Sequence, residues 1–475
     1  MSDAPELPTA AALADIKAAV GDGGWSSDGE TLAPHLVDWR GRVHGRAALL
    51  VRPGSTAAVA ALVAAAARHR VVLVPQGGNT GLVGAGIPDN GGGAVLVSLT
   101  RLNRLEAVDP AGLTVTVGAG AILENVHAHV LAEGCMFPLS LAAKGSATIG
   151  GLISTNAGGV QVLRHGTMRA LVMGIEAVLP DGSVLHQLGA LAKDTSGYDI
   201  KQLLIGAEGT LGIVTAATLR LVRAPADTAV GWAGVASPAT ALALLARLRA
   251  AVGDRVESFE LIPGIGLALV VAGGQRSPLV GEHAWHVLIE LTSTDRDGAL
   301  AAQLASVLSA ALESGLVEDA TVAQSQAQAA ALWRLRETLP EAERRDGVAV
   351  KHDIAVPVSA MPAFIIDATT SVEATWPGAR VLAFGHLGDG NVHFNVRAPA
   401  GSDSHAWVEA HGPAITRHVD DAVTARGGTI AAEHGIGTVK KAELARLGDP
   451  AKLAAMRAIK AALDPFGIMN PGKIF

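Results

Sequence analysis

The strongest chemical signal in this 475-residue chain is a pair of histidines followed downstream by an acid–imidazole pair. His386 and His393 lie in Phe384-Gly385-His386-Leu387-Gly388-Asp389-Gly390-Asn391-Val392-His393-Phe394-Asn395. On one straight strand their odd spacing would send the two imidazoles to opposite faces. A tight turn through Gly388-Asp389-Gly390-Asn391 can fold the chain so that they converge, with Asp389 as a turn residue. Downstream, Glu433 and His434 sit in the glycine-flanked stretch Ala431–Gly437. His386, His393 and Glu433 make a three-ligand set with open positions for substrate oxygens, which suits a catalytic divalent metal; zinc or manganese fits best, and spacing does not choose between them. His434 is the candidate general base, because an imidazole pKa near ~6.5 suits taking a hydroxyl proton near neutrality. The competing reading for any one of the 16 histidines is a surface or structural hydrogen-bonder.

Three glycine-rich segments form a second signal. The first, Pro75-Gln76-Gly77-Gly78-Asn79-Thr80-Gly81-Leu82, directly follows a β-branched run. Small residues in succession let backbone N–H groups approach an anion closely. The second contains Thr148, Gly150 and Gly151, then Asn156, Gly158 and Gly159; the third contains Glu208, Gly209 and Ile213. A single loop of this kind is most simply a turn. Three in one region, with polar residues at their centres, point to one large, extended ligand. Two familiar nucleotide fingerprints fail. Gly84-Ala85-Gly86 lacks the later glycine of GxGxxG, and Gly467–Lys473 spells GxxxxGK with Ile474 where Ser or Thr must stand.

The elements that must position these groups are an irregular α+β mixture up to about residue 222. Ala11–Val20 and Ala121–Glu133 read as helices. Val71–Val74, Ala94–Leu99, Leu113–Val117 and Ile213–Leu221 read as strands. Leu171–Leu179 and Leu185–Gln187 flank Pro180-Asp181-Gly182 as a hairpin. Beyond this, helices Pro238–Val252, Gly298–Ser314 and Ala323–Thr338 alternate with strands such as Trp285–Leu291, which suggests a second, α/β domain. The expected division is 1–222, with a helical lead-in, 223–430 as a substrate-binding cap, and 431–475 as a segment that closes the active site. A net charge of −7 argues against a broad nucleic-acid face, and the single cysteine, Cys135, excludes an internal disulfide framework or a Cys-rich cluster. No run reaches the ~20 apolar residues of a membrane span. The acidic start lacks the features of a signal peptide, so a cytoplasmic protein is expected.

With those motifs in view, the first half resembles the FAD domain of the vanillyl-alcohol oxidase / p-cresol methylhydroxylase (PCMH) superfamily. The second half resembles the FAD-linked D-2-hydroxy-acid dehydrogenases. The likeness runs from about residue 40 to the end. It implies a PCMH-type FAD-binding domain of two α+β subdomains, whose first loop wraps the FAD pyrophosphate while the other two loops, with Asn470, line the rest. No His, Cys or Tyr lies in Gly77–Gly81, so non-covalent FAD is expected, with His165 and Cys135 the two other candidates for attachment. The likeness also implies that His386, His393 and Glu433 bind the metal. It implies that Arg336, Lys351, Asn395 and His434 contact substrate, where Arg suits bidentate carboxylate recognition and Lys supplies a point charge. Some relatives carry Thr where this chain has Pro340. Two cations and a metal are enough for a dicarboxylate, so D-2-hydroxyglutarate is the first expectation, with D-lactate, D-malate and glycolate as alternatives. Electrons would pass to an external acceptor: an electron-transfer flavoprotein, a quinone or a cytochrome. The remaining alternatives are an alkylglycerone-phosphate synthase-like transferase and a non-enzymatic electron-transfer subunit. A homodimer is compatible with the sequence.

Overall fold

The computed structural model describes residues 7–475; the acidic start at residues 1–6 lies outside the described residues. The chain forms two compact units. Unit 1 comprises residues 1–159, 166–224 and 433–475, and unit 2 comprises residues 160–165 and 225–432.

Unit 1 opens with helix α1 (Ala10–Val20), capped by Thr9 and stopped at Gly21. Its first sheet joins β1 (Trp25–Ser26), β2 (Leu49–Val51), β3 (Leu73–Gln76) and β4 (Val95–Ser98) in the order β1-β2-β4-β3. The β2–β4 and β3–β4 pairs are parallel. Both faces are buried: Leu49, Val51 and Leu73 join one core, while Leu50, Val74 and Leu96 join another. Helix α2 (Thr56–His69) packs Val59, Leu62, Val63 and Ala66 into the first core, as its apolar three-and-four spacing requires.

The second sheet is antiparallel. It contains β5 (Thr114–Gly118), β6 (Val172–Val178), β7 (Val184–Gln187) and β8 (Ile213–Arg220) in the order β5-β8-β6-β7. Helices α3 (Leu123–Leu131) and α4 (Ile149–Thr155) pack into the same core, where Cys135 is also buried. The β6–β7 pair is the hairpin expected around Pro180-Asp181-Gly182.

Unit 2 is built on one seven-stranded sheet. Its strands and helices, in chain order, are β9 (Asp227–Val235), α5 (Pro238–Val252), β10 (Val256–Pro263), α6 (Gly264–Ala272), β11 (Trp285–Ser293), α7 (Leu300–Glu313) and β12 (Asp319–Val322). Then follow α8 (Gln326–Glu337), α9 (Leu339–Arg345), β13 (Ala349–Ala355), α10 (Met361–Thr375), β14 (Arg380–His386), β15 (Asn391–Arg397) and α11 (Ser404–Thr424). The strand order is β12-β9-β11-β10-β14-β15-β13. Helices and strands alternate as the sequence suggests, yet every pair in this sheet is antiparallel, so the helices are not crossovers between parallel strands. One sheet face is apolar and packs under α5, α7, α10 and α11 through Phe259, Leu261, Ile289, Ile354 and Phe394. The other packs Trp232, Ile262, Leu288 and Phe384 under α6, α8 and α9, and it also carries most of the unit's buried charges.

The segment 160–165 belongs to unit 2 because Glu257 holds it. The Glu257 carboxylate accepts from Gln161 Nε2 at 2.8 Å and from Arg164 Nη1 at 2.9 Å. His165 Nε2 lies 3.3 Å from the same carboxylate.

The chain then returns to unit 1 with α12 (Lys441–Leu447) and α13 (Pro450–Leu463). Leu73 N donates to Ile468 O, and Asn470 N donates to Leu73 O, both at 2.8 Å, so the last residues cover the β3 edge. Lys460 Nζ donates to Thr210 O at 2.7 Å, and Lys473 Nζ donates to Ile87 O at 2.6 Å. Among the described residues no helix is long and apolar enough to cross a membrane.

Candidate active site

In unit 1 the three glycine-rich segments surround one cavity of about 310 Å³. Pro75, Gly77, Gly78, Asn79, Thr80, Gly81 and Leu82 line it, together with Thr148, Gly150, Gly151, Gly158, Glu208 and Gly209. Glycine is required where the loops touch. A Cβ on Gly77 would lie 2.2 Å from Thr148 Oγ1, and one on Gly78 would lie 1.9 Å from Ser146 O. Thr148 Oγ1 is buried and has no hydrogen-bond partner among the described residues. Gly78 and Thr148 also line a second cavity. A crowded backbone cradle and a buried hydroxyl without a partner among the described residues fit a dinucleotide such as FAD.

Four of the expected cofactor residues do not line this cavity. Asn156 closes α4 in the left-handed conformation, and its Oδ1 accepts from Arg169 N at 2.9 Å. Gly159 packs against Ser140 O, and Ile213 lies in the core. Asn470 is buried, with Nδ2 donating to Ala85 O at 3.0 Å and to Glu208 O at 2.7 Å. Asn156, Gly159 and Asn470 shape loops, and Ile213 opens β8 inside the core. Asn79 does both: it lines the cavity while its Nδ2 donates to Val37 O at 2.9 Å.

Glu433 and His434 also line the cavity, with Glu433 Oε1 3.9 Å from His434 Nε2. The Glu208 carboxylate spans to the loop that follows them, accepting from Ile436 N and Gly437 N, each at 2.7 Å.

In unit 2 the β14–β15 hairpin brings the two histidines together. His386 is opposite Asn391, and His393 is opposite Phe384, so the imidazoles are diagonal neighbours on one face. Their ring centroids are 5.6 Å apart. Asp389 is a turn residue, accepting from Asn391 N at 2.9 Å. His386 Nδ1 is 2.5 Å from Glu260 Oε1, which fixes the ring and directs Nε2 away from the carboxylate. Burial alone would lower His386, but Glu260 outweighs it and holds this imidazole well above its ordinary pKa. Burial pushes Glu260 up, and the charges of His386 and Arg336 more than reverse that. A carboxylate behind an imidazole is the arrangement that orients metal-binding histidines. His393 Nδ1 lies 3.8 Å from Asp353 Oδ1, and Asn391 Nδ2 donates to the same oxygen at 3.0 Å. The donor chemistry of these residues suits a divalent cation. Glu433 follows Ala432, the last residue of unit 2, directly in the chain.

The expected cations lie on this face, but neither stands alone. Arg336 Nε donates to Glu260 Oε2 at 2.8 Å, and its guanidinium lies 4.9 Å from the Phe384 ring centroid. Lys351 Nζ donates to Glu343 Oε2 at 2.6 Å, and Asn395 Nδ2 donates to that same oxygen at 3.0 Å. Pro340 occupies the first turn of α9, where its missing N–H costs nothing.

Sequence reading therefore missed Glu260, Glu343 and Asp353. Glu260 had a signal: an acid inside the apolar run Phe259–Ile262 must be paired if that run is a buried strand. Glu343, in Ala342-Glu343-Arg344-Arg345, has the local pattern of a solvated helix face.

Residues 47–187 match the family model described as FAD binding domain, and residues 224–474 match the one described as FAD linked oxidases, C-terminal domain. The chain is 40% identical to a D-2-hydroxyglutarate dehydrogenase from Xanthomonas citri pv. viticola, over 92% of this chain and 91% of that protein. It is 37% identical to the mitochondrial D-2-hydroxyglutarate dehydrogenase of Bos taurus, over 94% of this chain and 80% of that one. Among solved structures, substrate-bound p-cresol methylhydroxylase superposes with a TM-score of 0.74 at 15% identity, over 98% of this chain and 96% of that one. An alkyldihydroxyacetonephosphate synthase does so with a TM-score of 0.74 at 17% identity, over 99% and 87%. These two likenesses show the PCMH-type fold.

Proposed function

The chain belongs to the FAD-linked oxidase family, and from that premise we propose that it oxidises a D-2-hydroxy acid, D-2-hydroxyglutarate first, to the 2-oxo acid. The observation that carries this reading is the polar face of the unit 2 sheet, where the His386–His393 pair lies beside Arg336, Lys351 and Asn395. D-Lactate, D-malate and glycolate are the competing substrates.

When bound, FAD supplies a hydride acceptor at its N5. A divalent cation, zinc first and manganese second, held by His386, His393 and Glu433, would supply a Lewis acid that lowers the pKa of the substrate hydroxyl. The protein's own groups do the rest. Arg336 and Lys351 hold carboxylate charge, and Asn395 adds a hydrogen bond. Glu260 and Glu343 fix the positions of those donors, so little orientation is left to be lost on binding. An imidazole nitrogen of His434 takes the hydroxyl proton as the carbon loses its hydride, leaving the 2-oxo acid. Turnover then needs an external acceptor for two electrons: an electron-transfer flavoprotein, a quinone or a cytochrome.

Replacement of His434 by Ala tests the base. The variant should retain FAD, while anaerobic flavin reduction by substrate slows by roughly 10²–10⁴-fold. Reduction at the wild-type rate rejects the assignment.

A further inference from the structure

Glu208 lines the cofactor cavity, but its carboxylate is committed elsewhere. Oε1 accepts from Ile436 N and Oε2 from Gly437 N, each at 2.7 Å. Glu208 is itself tightly held. Its N–H donates to Ser154 O at 2.8 Å, and its carbonyl accepts from Asn470 Nδ2 at 2.7 Å. Its φ of +50° is a left-handed value that a non-glycine residue keeps only when its surroundings impose it. The clamped loop is pressed close on the other side as well. A Cβ on Gly435 would lie 2.7 Å from Glu208 Oε1, and one on Gly437 would lie 2.0 Å from Val83 O. Thr438 N donates to Val83 O at 3.0 Å, and Ile474 N donates to Gly437 O at 3.1 Å.

We propose that Glu208 is a positioning residue whose carboxylate fixes the loop carrying Glu433 and His434 against the cofactor cavity, and that it acts on substrate oxidation through His434. Both oxygens are needed. Two adjacent backbone N–H groups point at the side chain, and only a carboxylate offers an acceptor to each. A glutamine keeps one oxygen and presents its NH₂ to the second N–H, donor against donor. The loop then has to move, and displacement of a catalytic group by about 1 Å costs on the order of 10²-fold in rate. This inference rests on the proposed role of His434.

The test is Glu208→Gln in the FAD-bound protein, read by amide hydrogen exchange and by anaerobic stopped-flow reduction. In the wild type, the Ile436 and Gly437 amides should be protected. In the variant they should exchange at least roughly tenfold faster, with FAD content unchanged. The limiting rate of flavin reduction should fall roughly 10–100-fold, while the substrate dissociation constant changes less than about threefold. Unprotected amides in the wild type overturn the proposal, and that measurement decides the matter even if the variant does not accumulate as folded protein. Loss of FAD in a folded variant also overturns it, because Glu208 would then be a cofactor residue. So does wild-type reduction with exposed amides. Parallel reduction of His434→Ala separates the two readings: wild-type reduction there rejects the base, independently of whether Glu208 protects the loop amides.

Discussion

Unit 1 and unit 2 build their sites from different materials. In unit 1 the cavity is shaped by backbone: Gly77 and Gly78 let one loop meet Thr148 and Ser146, and Asn79, Asn470 and Glu208 spend their side chains on loop carbonyls and amides. In unit 2 the candidate groups are side chains on one face of an antiparallel sheet or on the helix packed over it, and Arg336, His386 and Lys351 are tied to buried counter-charges: Arg336 and His386 to Glu260, Lys351 to Glu343. A backbone site tolerates little added volume. A side-chain site tolerates volume better but depends on charge balance, since a buried ion that loses its partner is costly.

The difference can be broken first in unit 1. Gly78→Ala adds a Cβ 1.9 Å from a backbone carbonyl, which cannot yield as a flexible side chain would. Overpacking of this kind costs about 1–3 kcal/mol, so FAD affinity should fall roughly 10–100-fold, measured by fluorescence on reconstitution of the apoprotein. Undiminished affinity would show that the cradle does not touch the cofactor.

In unit 2 a smaller effect comes from a buried acid. Burial pushes Glu290 up to about 7, with Glu257 adding to the rise and the hydrogen bond from Trp333 opposing it. A raised carboxyl contributes stability fully below its unfolded pKa, and that contribution is lost as pH rises through the folded value. Glu290→Gln keeps the neutral shape without the charge. Thermal unfolding should therefore show the variant more stable than wild type by a few degrees at pH 8, and equal to it within about one degree at pH 5. An equal difference at both pH values would remove charge burial as its cause.

The same contrast explains what could be read from sequence. Glycine-rich loops are legible because consecutive small residues have few other uses, and the Pro75–Leu82 segment does line the cavity. The His386–His393 hairpin is legible because the Gly-Asp-Gly-Asn turn fixes the register. Ile213 illustrates the limit: it belongs to a glycine-rich motif, yet it opens a strand that is buried on both faces and so lies in the core. Partners distant in sequence are harder still. Glu260 meets His386 across 126 residues, and no local pattern marks that pairing. The antiparallel order of the unit 2 sheet was hidden for a related reason: alternating strands and helices allow both parallel and antiparallel pairing, and long-range register decides between them.

The central claim is that the protein oxidises a D-2-hydroxy acid at a metal-assisted flavin site. The most direct test is an anaerobic titration of the FAD-loaded protein with D-2-hydroxyglutarate and, separately, D-lactate, following the flavin band near ~450 nm. The account predicts bleaching by D-2-hydroxyglutarate in preference to D-lactate, abolished by a chelator and restored by added zinc or manganese. A yellow protein that neither acid bleaches would contradict it.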